Sequence, residues 1–159
     1  MATDVARWVR LGVAVAMGVP QLVIGLWALV APERWFLSFP GFDPRLVAAE
    51  PPYNEHLARD VGAGFFATGV VLIVAAAWAN RAAIQIALLG FAAFTVPHVT
   101  YHATKPADAL TGIENAVNAL TLASGLVLAT VFAWGMRTSA ASVGDASESA
   151  IATPPLVNR

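Results

Sequence analysis

The sequence predicts an all-α protein: an integral membrane four-helix bundle with a disordered C-terminal tail. Three observations predict it. The 159 residues are 58% hydrophobic and only 12% charged. Four separate apolar stretches are each long enough to cross a bilayer, which takes about 20 residues at 1.5 Å of rise each. From Thr138 onward Ser, Ala, Asp, Glu and Pro dominate and hydrophobic periodicity is lost, as in segments that cannot bury enough apolar surface to order themselves.

The charged fraction decides against a soluble domain, which carries about 25% Asp, Glu, Lys and Arg. The mean hydropathy of +0.67 points the same way. Net charge is −1 and there is no Lys/Arg run, so nothing recruits nucleic acid by neutralising phosphates. With no cysteine in the chain, disulfides, thiolate metal ligands and cysteine nucleophiles are excluded.

The domain expected over residues 1–137 holds spans at about 8–31, 60–79, 82–102 and 115–134, and residues 138–159 form the tail. No span has a charge in its centre, where one would cost about 2.5 to 3.5 kcal/mol on insertion scales. Arg7 and Arg10 precede the first span as in a signal peptide, but its apolar run exceeds a signal's 7 to 15 residues and Leu29 stands where cleavage wants a small side chain. The segment is therefore expected to be retained. Only Asn80-Arg81 separates the second span from the third, which makes them an antiparallel hairpin. Residues 103–113 join the third to the fourth, with Lys105-Pro106 and Thr111-Gly112 as turn chemistry. The long first connection carries Trp35, Phe36, Leu37 and Phe39, too apolar for a free loop, and is expected in the headgroup region or folded over the bundle.

Trp8, Trp78 and Trp134 fall at one set of span ends, and Trp35, Tyr53 and Tyr101 at the other, as interfacial aromatic belts require. Basic residues close to the spans divide equally, Arg7, Arg10, Arg81 and Arg137 on the terminal side against Arg34, Arg45, Arg59 and Lys105 on the other. Those on the terminal side sit in short flanks with little acid, which places the termini in the cytoplasm. Small residues at Gly12, Ala16, Gly18 and Gly25, and at Gly62, Gly64, Ala67 and Gly69, offer faces for close helix packing. Pro20 and Pro97 predict kinks.

The uncommon polar residues gather at the loop-side ends of the spans. Asn54 is an expected N-cap for the second helix, Glu55 and Arg59 an i,i+4 ion pair, and His56 lies one turn before Asp60. The third span ends in His98-Val99-Thr100-Tyr101-His102, whose spacing sets both imidazoles on one face within reach of one metal ion. The fourth opens with Glu114 and continues to Asn118, Thr121 and Gly125 in steps of four, three and four. Each piece also has a plain structural account as caps, surface pairs or interhelical hydrogen bonds, the last worth about 0.6 kcal/mol apiece. Because the second span begins, the third ends and the fourth begins at one face, a bundle would bring Asn54, Glu55, His56, Arg59, Asp60, Tyr101, Glu114 and Asn118 into one shallow pocket. His98, His102 and His56 are the candidate metal ligands within it.

Ala31-Pro32-Glu33-Arg34-Trp35-Phe36, Pro40-Gly41-Phe42 and Asn54-Glu55-His56-Leu57-Ala58-Arg59-Asp60-Val61-Gly62, followed by His98 and His102, together resemble uncharacterised small bacterial four-helix membrane proteins, broadly DoxX-like. The resemblance covers about residues 8 to 134 and implies a four-helix bundle in a bacterial cytoplasmic membrane.

Three functional expectations follow. In the first the rim pocket holds a lipid, a quinone or a metal ion, or docks a membrane protein partner or a second copy. In the second the chain is an enzyme acting on an apolar substrate, either through a metal on His98 and His102 or by acid–base chemistry at Glu55, His56 and Glu114. In the third the polar cluster is purely structural.

Overall fold

The computed structural model describes the backbone of residues 2–152 and the side chains of residues 7–136. It is all helical. The first long helix is continuous but changes pitch: α1 (Ala2–Gly12) passes into a π-helical segment (Val13–Gly18) and then into α2 (Val19–Val30). A short α3 (Pro32–Ser38) follows, then α4 (Glu55–Trp78), α5 (Arg81–Thr104) and α6 (Gly112–Ala152). Four stretches, Arg7–Val30, Glu55–Trp78, Arg81–Thr104 and Gly112–Met136, are long and apolar enough to cross a membrane. Helix α6 runs on past Trp134 through residues for which the sequence predicts a disordered tail, and its alanines at 140, 141, 146, 150 and 152 favour that continuation. Residues 153–159 of the expected tail lie outside the described residues.

The long helices pack as a ring in chain order, each against the next, with the first also against the last. Local chemistry sets the turns. Asn54 accepts the Leu57 amide at 3.1 Å and starts α4, and Asn80 accepts the Ala83 amide at 3.2 Å and starts α5. Between them Ala79 takes the left-handed conformation, φ 56°, that ends α4. An Asn54→Ala variant removes one such acceptor and is expected to lower stability by about 1 kcal/mol, read as a modest fall in melting temperature.

The first helix and α4 meet at backbone distance. A Cβ placed on Gly25 would fall against the Phe66 amide nitrogen and 2.7 Å from the Gly62 carbonyl oxygen. One placed on Gly69 would lie 2.6 Å from the Leu22 amide nitrogen and 2.9 Å from the Gly18 carbonyl oxygen. Glycines seven residues apart on each helix thus face one another in antiparallel pairs, Gly18 with Gly69 and Gly25 with Gly62. Gly64 and Ala67, expected on the same face, are not in it: Gly64 has only Phe94 within 4 Å, and Ala67 is exposed.

This close pairing has a consequence on the opposite side. Val9, Val13 and Met17 of the first helix join Phe132 and Met136 of α6 in the main core, together with Leu72, Ile84, Leu88 and Phe91. Gly12 sits under the Phe132 ring, and Trp8 meets that ring edge-on at 5.6 Å. Beyond Gly18 the backbones part: among the described residues no Cα atom of α2 lies within 8 Å of one on α5 or α6. The π-helical segment lies where the two halves diverge. There the Val19 amide donates to the Ala14 carbonyl five residues back, just ahead of Pro20, which has no amide hydrogen. The bend expected at Pro20 therefore takes the form of a change in helical pitch, whereas α5 continues as α-helix through Pro97.

The first connection folds over the loop-side ends of α2 and α4. Trp35 is 6% exposed there, packed with Ala28 and Ala58 and flanked by Trp27, Phe36, Phe39 and Tyr53. Trp35 is thus a core residue of this cap, while Trp8, Trp78, Trp134 and Tyr101 are all exposed. Burial and then the charges of Glu55 and Glu33 hold the Tyr53 phenol above its ordinary value of 10, so it remains a neutral donor at physiological pH.

Candidate functional site: a cavity among four helices

The rim residues are accounted for largely by local structure. Arg59 pairs with Glu55 at 2.8 Å and donates to the Leu29 carbonyl, tying the start of α4 to the end of α2. His56 lies 3.3 Å from Asp60 on the same helix, and both are exposed. Glu114 turns back on its own helix start: its Oε2 accepts the amide and hydroxyl of Thr111, each at 2.8 Å, while its amide donates to Thr111 Oγ1 at 3.3 Å. That reciprocal arrangement is a capping box. Asn115 closes the preceding loop by accepting the Ala107 amide at 2.9 Å and donating to the carbonyls of Ala107, Leu110 and Thr111.

The expected gathering of His56 with His98 and His102 is corrected by this geometry. His98 and His102 do stack, with ring centroids 5.0 Å apart, but His56 is engaged with Asp60. Among the described residues no three His, Asp or Glu side chains come together as a metal site. The cause is direction as much as position: His56 and Asp60 are exposed on α4, whereas His98 meets Phe65 of α4 and His102 meets Asn118 of α6. His102 reaches Asn118 at 3.4 Å between Nδ1 and Nδ2, and Asn118 is 9% exposed. Tyr101 stands outside this pair, its ring edge-on to His102 at 5.4 Å.

Of the residues that the sequence marks as pocket or metal-ligating groups, His98 lines a cavity between the helices. A cavity of about 220 Å³ lies near the middle of the bundle, with walls from all four long helices. The first helix contributes Met17, Pro20 and Gln21, α4 contributes Phe65, α5 contributes Phe91, Phe94, Thr95 and His98, and α6 contributes Thr121 and Ser124. It occupies the gap left where α2 is drawn onto α4 and away from α6. The rings of Phe65, Phe94 and His98 stand edge to face around it, with centroids 5.2, 6.3 and 5.9 Å apart. Gln21 brings a carboxamide whose oxygen is buried without a hydrogen-bond partner. Such a group costs roughly 1 to 3 kcal/mol when left unsatisfied. A larger groove of about 820 Å³ opens outward between α5 and α6. Its mostly aliphatic walls continue the apolar outer surface.

Gln21, Thr95, Phe65 and Phe94 form this site without standing out in the sequence. One signal was available: Gln21 is the only polar side chain between Leu11 and Leu29 apart from the indole of Trp27, and it follows a proline. Comparison of the chain with protein-family models, with curated proteins and with solved structures gives no match.

Proposed function

We propose that the chain is a four-span protein of the bacterial cytoplasmic membrane that binds a small, largely apolar ligand in the cavity between its helices. The observation that carries this reading is a cavity of about 220 Å³ to which every long helix contributes a wall, with aromatic rings on one side and Gln21, Thr95 and Ser124 among its polar groups. Membrane residence is supported by the outer surface. Val30, Ile86, Leu89, Leu120 and Val127, distributed over three of the four long helices, are each more than 60% exposed, which in water would be a surface prone to aggregate. The gap between α2 and α6 gives a ligand dissolved in the bilayer a sideways path to the cavity. Of the lipid, quinone and metal ligands expected from the sequence, a metal would find no group of three His, Asp or Glu side chains among the described residues. A molecule with an apolar body and a hydrogen-bonding group, as in a lipid or a quinone, matches the walls better.

The topology on which this rests is directly testable because the chain has no native cysteine. In intact spheroplasts an impermeant maleimide is expected to label Lys105→Cys and to spare Asn80→Cys until the membrane is opened. Equal labelling of both from outside would contradict four alternating spans with cytoplasmic termini.

A further inference from the structure

We infer that the outward groove between α5 and α6 seats an acyl chain of a phospholipid with a net negative headgroup, whose phosphate is held by Arg81. The inference takes from the proposed function only that the chain spans a bilayer; the central cavity plays no part in it. The groove, of about 820 Å³, is walled by Gln85, Leu89, Ala92 and Val96 of α5 and by Leu126 and Trp134 of α6. From Gln85 to Val96 the helix rises about 16 Å at 1.5 Å per residue, which matches one leaflet, roughly 15 Å or half of the hydrocarbon core. Gln85, near the start of α5, and Trp134, near the end of the fourth span, mark one end of it.

The groups at that end specify the headgroup. Arg81 lies one turn before Gln85 on the same face of α5. It is exposed and, among the described residues, makes no hydrogen bond or ion pair. Arg10, at the same end of the bundle, is instead engaged with the Ala76 carbonyl at 2.8 Å. Neither α5 nor residues 115–136 of α6 contain an Asp or Glu. The amine of a zwitterionic headgroup would therefore meet a cation with no carboxylate beside it, whereas a net negative headgroup meets complementary charge. The Gln85 carboxamide is exposed and likewise without a partner among the described residues. It offers two N–H donors about 5.4 Å deeper than Arg81, on the side of the phosphate where a phospholipid carries its ester carbonyls. Those carbonyls relieve the cost of a carboxamide facing hydrocarbon. Trp78 and Trp134, 73% and 68% exposed, stand at this same end, as indoles at headgroup level do.

The test uses quenching of tryptophan fluorescence by dibrominated phosphatidylglycerol and dibrominated phosphatidylcholine, each diluted into unbrominated phosphatidylcholine bilayers that hold the protein. The signal of Trp134 is the difference between the wild type and Trp134→Phe. Phosphatidylglycerol is expected to bind beside Trp134 about fivefold more tightly than phosphatidylcholine, the worth of one basic side chain at an anionic surface. Arg81→Gln should remove that preference without lowering the melting temperature, and Arg7→Gln, an exposed cation at the same end, should keep it. Equal quenching of Trp134 by the two lipids in the wild type would overturn the inference, as would a preference that survives Arg81→Gln. If neither lipid quenches any tryptophan, the four-span reading itself falls, and this inference with it.

Discussion

Replacing Gly25 with leucine is expected to lower stability by roughly 3 kcal/mol, the upper end of what overpacking a close-packed interior costs. The reason is that the obstacle is backbone. At Gly25 even a Cβ meets the Phe66 amide and the Gly62 carbonyl, and neither can rotate aside as a side chain can. The first helix would have to lift from α4, exchanging contacts along Gly18, Leu22, Gly25 and Leu29 for a gap. Gly90→Leu is the matched control: Gly90 is also mid-helix, and nothing lies within 4 Å of where its Cβ would be. That variant should melt at or above the wild-type temperature, because leucine is the better helix former by somewhat under 1 kcal/mol. Equal melting of the two variants would mean that the paired glycines do not hold the bundle together.

The second large effect concerns the ligand rather than the fold. Ser124→Phe is expected to abolish binding of benzene, a small apolar probe of the cavity, with no loss of melting temperature. Ser124 is exposed on one side and faces the cavity on the other, so a phenyl ring can enter the space without displacing core residues. It also buries apolar area that the wild type leaves against a void. Val127→Phe, on the outer surface of α6 at 62% exposure, adds the same ring outside and should leave binding unchanged. Loss of binding in both variants would point to a general disturbance of α6 instead of a filled site.

The four long helices are legible in the sequence because length, hydropathy and the absence of central charge are properties of contiguous residues. The same holds for the Asn54 cap and the Glu55–Arg59 pair, which span three or four residues. Gly18, Gly25, Gly62 and Gly69 are visible as small faces, but that Gly18 meets Gly69 depends on helix register, which the sequence leaves open. The polar rim misleads for a related reason. Common location at one end of a bundle does not imply convergence: Glu114 has Thr111 three residues away in a capping-box pattern and satisfies itself there. The cavity is hidden because it is made by what fails to pack. It arises from the divergence of α2 from α6, a tertiary outcome of the glycine pairing and the π-helical segment. Only Gln21, an amide within an otherwise apolar run, marks it in the sequence.

Disulfide trapping on the cysteine-free chain measures that divergence most directly. A disulfide requires Cα atoms about 4.4 to 6.8 Å apart. In the terminal half, where a Cβ on Gly135 would lie 3.3 Å from Val9 Cγ2, Val9→Cys with Gly135→Cys is expected to cross-link on mild oxidation. Across the cavity, Gln21→Cys with Ser124→Cys should resist oxidation and be joined only by a bifunctional thiol reagent with a spacer. If the Gln21 and Ser124 pair instead forms a disulfide as readily as the other, the walls touch, and no ligand-sized space separates the first helix from the last.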